Sequence, residues 1–357
     1  MGKYTEKLNL YLTDTTPTAD GGFVDGNDVL NFDRDFNDNF QKIDDYVANN
    51  ESNLLTKADK SYTDKIFNRI YDGVNLEEKF ADEIAKFANK WVWIQSRIKS
   101  GNYDGILIGD YLTTSISSGT VNGSAVNAQT FQMQVAGIDT YTGCCDVEQG
   151  HHIDFISREV IDTEFKWNPT DNNNGTSAQP NPFLASMAYA ILNGVNNYST
   201  SAYNKVAHGA NCNGAGIWQL LSADAKSVIV QKRQLTENKY DANSLLFGSK
   251  DWTWRDIGNL WLPNEHEVYG TQVRGNLAQT QYFWNPDAQT AIAYPIFLGA
   301  GRNRIKRMSN GGRSAWWLSS TVTHNTADVA HVGANGEASS SDATVAGYRF
   351  PLCFRVS

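Results

Sequence analysis

Three local groups of residues in this 357-residue chain carry side chains that could do chemistry. Glu265, His266 and Glu267 stand together, but they lack the second histidine of an HExxH zinc helix, and Pro263-Asn264 ahead of them reads as a helix start. His151, His152 and Asp154 offer metal donors, yet neighbours on a strand point to opposite faces and make a poor joint site. The run from Gly209 to Gly216 is glycine-rich but lacks the Lys-Ser/Thr of a phosphate loop. Cys144, Cys145, Cys212 and Cys353 form no CxxC pair, so they read as reduced thiols rather than a metal clamp or a disulfide framework. Carboxylates are plentiful, but nothing singles out a glycosidase pair. The expectation is a chain with no catalytic residue, no metal and no cofactor.

Binding is the better fit to the composition. Only 19% of residues are charged, while 10 Trp, 16 Tyr and 29 Gly favour large aromatic contacts on shaped loops. A net charge of −9 argues against nucleic acid as a partner. The clearest basic run is Arg302, Arg304, Lys306, Arg307 and then Arg313, which reads either as a solvated loop or as an anionic-ligand patch. No apolar stretch approaches a membrane span, and Met1-Gly2-Lys3-Tyr4 carries no apolar signal core. The chain is therefore expected to be made and assembled in a cytosol, without membrane insertion.

The residues best suited to touch a ligand lie near the C-terminus. From Ser319 to Ala346 the chain holds almost only small or polar residues, which a folded domain can present only if the backbone is held elsewhere. Trp317 and Leu318 are expected to anchor that stretch, with Trp316 and Ser319 facing outward. Val329 and Val332 point inside, and Phe350, Leu352, Phe354 and Val356 share one face of a closing strand by period two. The predicted contacts are Trp316, Ser319, Thr321, Thr323, His324, Asn325, Asp328, His331, Asn335, Glu337, Ser339 and Ser341.

Other elements must position these residues. Residues 1–50 are polar and turn-rich, with Phe32, Phe36, Phe40 and Ile43 forming one narrow apolar stripe at helical spacing. Over 51–100 the residues Phe80, Ile84, Phe87, Trp91, Ile94 and Ile98 alternate by four and three, the spacing of an a/d seam, and Ile66 and Ile70 keep the register. The spacing predicts a helical stalk broken near Asp72-Gly73, with bulky seam residues that suit a trimer better than a dimer. A single helix packed on its own domain is the other reading. From 101 to 357 the texture is short strands, at 106–108, 131–138, 152–157 and 228–230, with 113–128 as loop and 171–182 as a long polar loop. Asn181, Pro182 and Gly194 bracket a helix as N-cap, first turn and stop.

Several ordered phrases from His152 to Val356 carry a resemblance. They are His-Ile-Asp-Phe-Ile-Ser-Arg from 152, Leu-Trp-Leu-Pro-Asn-Glu-His-Glu-Val-Tyr-Gly from 260, Tyr-Pro-Ile-Phe from 294, Ala-Trp-Trp-Leu-Ser-Ser from 315 and Gly-Tyr-Arg-Phe-Pro-Leu-Cys-Phe-Arg-Val from 347. In this order the set resembles a prophage-associated family of C-type-lectin-like domains, with the layout of variable proteins served by diversity-generating retroelements. Phe36-Asn37-Asp38-Asn39-Phe40-Gln41-Lys42-Ile43-Asp44 resembles a phrase found in the N-terminal attachment region of phage tail fibres. The calcium-binding set of sugar-binding C-type lectins is missing: Trp167-Asn168-Pro169 and Trp284-Asn285-Pro286-Asp287 stand without their partner phrase.

The resemblance implies an α+β plan of three parts: a tail-attachment segment over 1–50, a coiled-coil stalk over 51–100, and a C-type-lectin-like head over 101–357 with its exposed stretch at 319–346. It implies a phage tail receptor-binding protein, located in the virion at the tail tip or baseplate. The expected partners are a bacterial surface receptor, tail or baseplate proteins, and further copies of itself in a homotrimer. Three heads per fibre would raise avidity by on the order of 10²–10⁴. A bacterial surface adhesin or other retroelement-diversified binder, and a tail-borne glycan hydrolase, are the alternatives.

Overall fold

A computed structural model of the chain describes residues 3–4, 11–12, 40–47, 72–200, 206–275, 292–299 and 301–357. The chain divides into two compact units, Met1–Tyr71 and Asp72–Ser357. In the first, the two-residue strands Lys3–Tyr4 and Tyr11–Leu12 pair antiparallel, and residues 40–47 are helical. Phe40, Ile43 and Val47 lie at helical spacing and are exposed, Phe40 to 61%. Phe32 and Phe36 of the predicted stripe, and Ile66 and Ile70 of the predicted seam, lie outside the described residues.

The α+β plan with a coiled-coil stalk and lectin-like head is corrected by the second unit. Among the described residues helix makes up only 21% and comes in short pieces, while the strands are mostly antiparallel. Where the seam predicts one long helix, three form: α1 (Leu76–Lys79), α2 (Ala81–Ile84) and α3 (Lys90–Lys99). The break has a local cause. Asn89 Oδ1 accepts the amides of Trp91 and Val92 and starts a new helix. The seam is then consumed by the chain's own core. Trp91 packs edge-on against Phe155 and Phe354 with ring centroids 5.4 and 5.3 Å away, and Ile94 and Ile98 are buried. Phe80 lies on Trp93, Ile84 is half-buried, and Phe87 alone of the six is exposed. Trp91, Ile94 and Ile98 therefore cannot zip copies of the chain together.

Apart from two small hairpins, the strands described in this unit are β1 (Tyr111–Ile116), β2 (Gln129–Ile138), β3 (Ile153–Val160), β4 (Ile229–Val230), β5 (Arg233–Asn238), β6 (Asp251–Asp256), β7 (Lys306–Arg307), β8 (Arg313–Ser314), β9 (Trp316–Thr321), β10 (Asp328–Val332), β11 (Ala338–Asp342) and β12 (Pro351–Val356). The central sheet runs β1-β2-β3-β12-β4, antiparallel throughout. The β7–β8 pair joins the end of β3 through the parallel partners Arg307 and Glu159. Residues 113–128, predicted as loop, instead hold most of β1 and a small hairpin of Gly119–Val121 with Ser124–Val126, and residues 106–108 are not a strand. The predicted helix after Asn181 is two, Pro182–Ala185 and Met187–Asn193, because Ser186 caps the second as Asn181 caps the first; Gly194 ends it at φ +64°.

The closing strand does not have one inner and one outer face: all six residues of β12 are buried. On one side Phe354 meets Phe155 and Trp91. On the other lies charge. Arg355 and its register partner Asp154 make two hydrogen bonds of 2.8 Å, and the Tyr294 hydroxyl donates to the same carboxylate at 2.9 Å. Lys232 pairs with Glu267, both without solvent exposure, and its ammonium sits 3.8 Å from the Trp261 ring centroid. Tyr141 donates its hydroxyl to the same Glu267 oxygen, while the other oxygen accepts the Asn264 amide and closes the capping box of α4, the helix Glu265–Tyr269. Burial by itself would raise the Asp154 carboxyl, but Arg355 beside it holds it well below the usual carboxylate range.

Removing one member of such a pair leaves a buried charge without a partner. Asp154→Ala is expected to cost about 3–5 kcal/mol in urea unfolding. A loss under about 1 kcal/mol, the worth of an exposed ion pair, would contradict a buried, mutually dependent cluster.

Candidate functional site

The polar stretch from Ser319 folds as a three-stranded antiparallel meander, β9-β10-β11. Its register brings Trp317, His331 and Ser339 side by side, and Thr321, Val329 and Ser341 next to them. The inner strand is anchored by both tryptophans. Trp317 Nε1 donates to the Phe165 carbonyl at 2.9 Å, and Trp316 Nε1 donates to the Arg304 carbonyl at 2.8 Å. His331 stacks on Tyr348 at 4.2 Å, and the Tyr348 hydroxyl bonds Ser341 at 2.8 Å. Only the outer strand β11 and the turns remain open: Asn335 and Glu337 are exposed, and Ser339, Ser340 and Ser341 are half-buried.

The 322–327 turn is held from behind by residues that the sequence hides in a loop. Asn172, Asn173 and Asn174 are buried. Asn173 Nδ2 donates to the Asp328 carbonyl at 2.6 Å and lies within 3.4 Å of the Val322 and Asn325 carbonyls. Lys239, also buried, donates to Asn173 Oδ1 at 2.8 Å and to the Val322 carbonyl at 2.9 Å; burial pulls its ammonium down to about 8. Asn325 Oδ1 accepts the amides of Ala327 and Asp328 and closes the turn internally. His324 stands exposed at its tip.

Behind β9 a solvent-open cleft of about 500 Å³ runs between β5, α4 and the inner strand. Ser319, Ser320 and Thr321 line one wall, with Glu237, His266 and the Trp252 ring around them. The Thr321 amide and hydroxyl both donate to Glu237, and the Glu265 carboxylate accepts the amides of Arg274 and Gly275. These carboxylates hold backbone in place. The chemistry available at the cleft and the meander is hydrogen bonding from hydroxyls and amides, with the aromatic residue Trp252 beside them, which suits recognition.

The predicted contacts therefore divide. His324, Asn335 and Glu337 are on the surface, and Asn325, Thr323, Asp328, Ser339 and Ser341 are half-buried at its margin. Ser319 and Thr321 belong to the cleft. Trp316, His331 and Thr321 are corrected as outward-facing residues, because their own side chains are buried. Sequence reasoning missed Asn173, Lys239 and the cleft wall; the run of three asparagines before Gly175 was the one local signal for an amide-rich support.

The other candidate groups have structural partners. His151 Nδ1 lies 2.8 Å from Asp139, and His152 Nδ1 lies 2.8 Å from the Gly150 carbonyl. Asn168, from the Trp-Asn-Pro phrase, accepts the Met187 amide and donates to the Asn172 carbonyl; residues 284–287 lie outside the described residues. Among the described residues no cluster of three or more His, Cys, Asp or Glu stands at metal-binding range, and no helix is long and apolar enough to cross a membrane.

Compared with family models, with curated proteins and with solved structures, the chain has no significant match in any of the three. The site is thus read from its own geometry.

Four buried histidines give the fold a pH dependence, and burial lowers His152 among them. Burial pulls the other three, His208, His266 and His331, each down to about 4, so the folded chain holds them neutral. In the unfolded chain they titrate near 6.5. The folded values are depressed, so the stability present above pH 6.5 is lost as pH falls toward 4. By pH 5 each ring costs about 2 kcal/mol. Melting curves between pH 7.5 and 5 should show Tm falling steeply below 6.5, and a flat profile would contradict neutral, buried rings.

Proposed function

We propose that this chain is a receptor-binding protein of a phage tail, carried at the tail tip or baseplate, that attaches the virion to a bacterial surface. The observation that carries the reading is the contrast within residues 319–346. Their inner strands are tied to buried tryptophans, Asn173 and Lys239, while the outer strand and turns offer hydroxyl, amide and carboxylate groups to solvent. Held backbone with permissive side chains is how loops on a rigid scaffold bind ligands. The ordered phrases from His152 to Val356 that resemble the prophage-associated family support the same reading. So does the exposed stripe of Phe40, Ile43 and Val47, an apolar face suited to docking on a tail protein.

The test is direct. Fluorescently labelled protein, incubated with a panel of bacterial strains that includes the phage host, should decorate that host. The triple variant His324→Ala, Asn335→Ala, Glu337→Ala should decorate it at least roughly tenfold less, a loss of about 1.4 kcal/mol or more, at unchanged Tm. Equal decoration by wild type and triple variant would place the contact elsewhere, and decoration of no strain would overturn the proposal.

A further inference from the structure

The basic run that the sequence leaves open between solvated loop and ligand patch comes apart in the fold. Lys306 is buried, donates to the Ser157 carbonyl and lies beneath the Trp316 ring at 5.5 Å. Arg304 packs its guanidinium over the Tyr269 ring at 5.0 Å. These two are structural. The other three, Arg302, Arg307 and Arg313, meet Arg158 from the end of β3 around one solvent-open cleft of about 670 Å³.

Four guanidinium groups around one cleft repel one another, and the carboxylates near them are fewer than the arginines: Asp72 in the lining, and Glu159 beside Arg158. Asp72 is the one acidic side chain among the described lining residues. It sits 2.6 Å from Arg302 and 3.8 Å from Arg158. Arg307 donates to the Gly311 carbonyl at 3.2 Å, Arg313 to Asn335 Oδ1 at 3.0 Å, and Arg158 to Gln132 Oε1 at 3.3 Å. Those acceptors are neutral. They orient the guanidinium forks and leave their charge in place. Gln134 and Asn303 complete the wall, the Asn303 amide being held by the Ile296 carbonyl at 2.8 Å.

We infer that this cleft is a binding site for a phosphate-bearing anion. A planar guanidinium fork matches phosphate with paired N–H donors, and several forks around one space suit an anion with more than one negative charge. A carboxylate already present, Asp72, engages only two of the four. The site stands on this local geometry and not on the phage reading. It lies next to the exposed face all the same, since Arg313 reaches Asn335 in the 333–337 turn.

Calorimetric titration of the purified full-length chain tests the assignment. Inorganic pyrophosphate should bind saturably with one site per chain, and acetate at equal ionic strength should not. The double variant Arg307→Gln, Arg313→Gln, both exposed side chains, should weaken pyrophosphate binding by roughly tenfold or more. Asp72→Asn, which removes the competing carboxylate, should tighten it. Lys86→Gln with Lys99→Gln, exposed cations outside the cleft lining, should leave it unchanged. Orthophosphate and a short glycerol-phosphate oligomer form the source arms: stronger binding of the oligomer points to a phosphodiester chain, and equal binding to a free phosphate group. No saturable pyrophosphate binding, or a double variant that binds like wild type with an unaltered melting curve, would overturn the site. Neither result bears on whether the chain decorates bacteria.

Discussion

The fold of the second unit depends on charge buried at its centre. Asp154 and Arg355 pair across neighbouring strands, Lys232 and Glu267 pair beneath them, and the rings of Tyr141, Tyr294 and Trp261 enclose both. Taking four charges out of water is costly, and their attraction offsets that cost only when geometry and hydrogen bonds are complete. Here they are. Every carboxylate in the cluster accepts a hydroxyl as well as a cation, and Glu267 also caps a helix. The cluster ties together β3, β12, the segment before β5, α4 and Tyr294, parts of the chain far apart in sequence. Apolar packing tolerates small shifts; this network does not, so it fixes one arrangement of those elements.

That fixed arrangement sets up the surface. α4 starts at the capping box that Glu267 closes, and the Glu265 amide donates to Ser320 in β9. The meander is thereby joined to the charge cluster through two residues. Its two tryptophans bury on opposite faces of the strand, so the inner strand has no freedom left. The side chains left open to solvent lie on the outer strand and the turns, where His324, Asn335 and Glu337 are exposed and Ser339 is half-buried. The arginine cleft is built on the same principle: Lys306 and Arg304 are spent on packing, and the guanidiniums that line the cleft are positioned by neutral acceptors and by the single carboxylate of Asp72.

Much of the local structure was legible in sequence. Asn181 and Gly194 bracket helix where capping chemistry places it, and the apolar alternation of β2 and β3 marks true strands. The stripe at Phe40 and Ile43 is a helical face. The stalk was misread because four-three spacing is shared by a coiled coil and by a short helix lying on a sheet; Asn89, a capping residue in mid-seam, was the discriminating signal. Trp316 was misread because strand alternation predicts one wet face, whereas β9 buries every residue except the half-buried Ser319. The buried pairs were invisible for a different reason: Asp154 and Arg355 stand 201 positions apart, and no local pattern announces such a contact. Of the candidate site, the exposed positions His324, Asn335 and Glu337 could be read, whereas their supports Asn173 and Lys239 could not.

The central claim is that a rigid, charge-locked scaffold carries a surface free to vary. Saturation mutagenesis with protease resistance as the readout tests it most directly, by comparing two sets of positions in one library. At His324, Asn335 and Ser339 most substitutions should leave the chain as resistant as wild type. At Asp154, Lys232, Glu267 and Arg355 nearly all should abolish resistance. Equal tolerance in the two sets, or a surface set as intolerant as the buried one, would contradict the account.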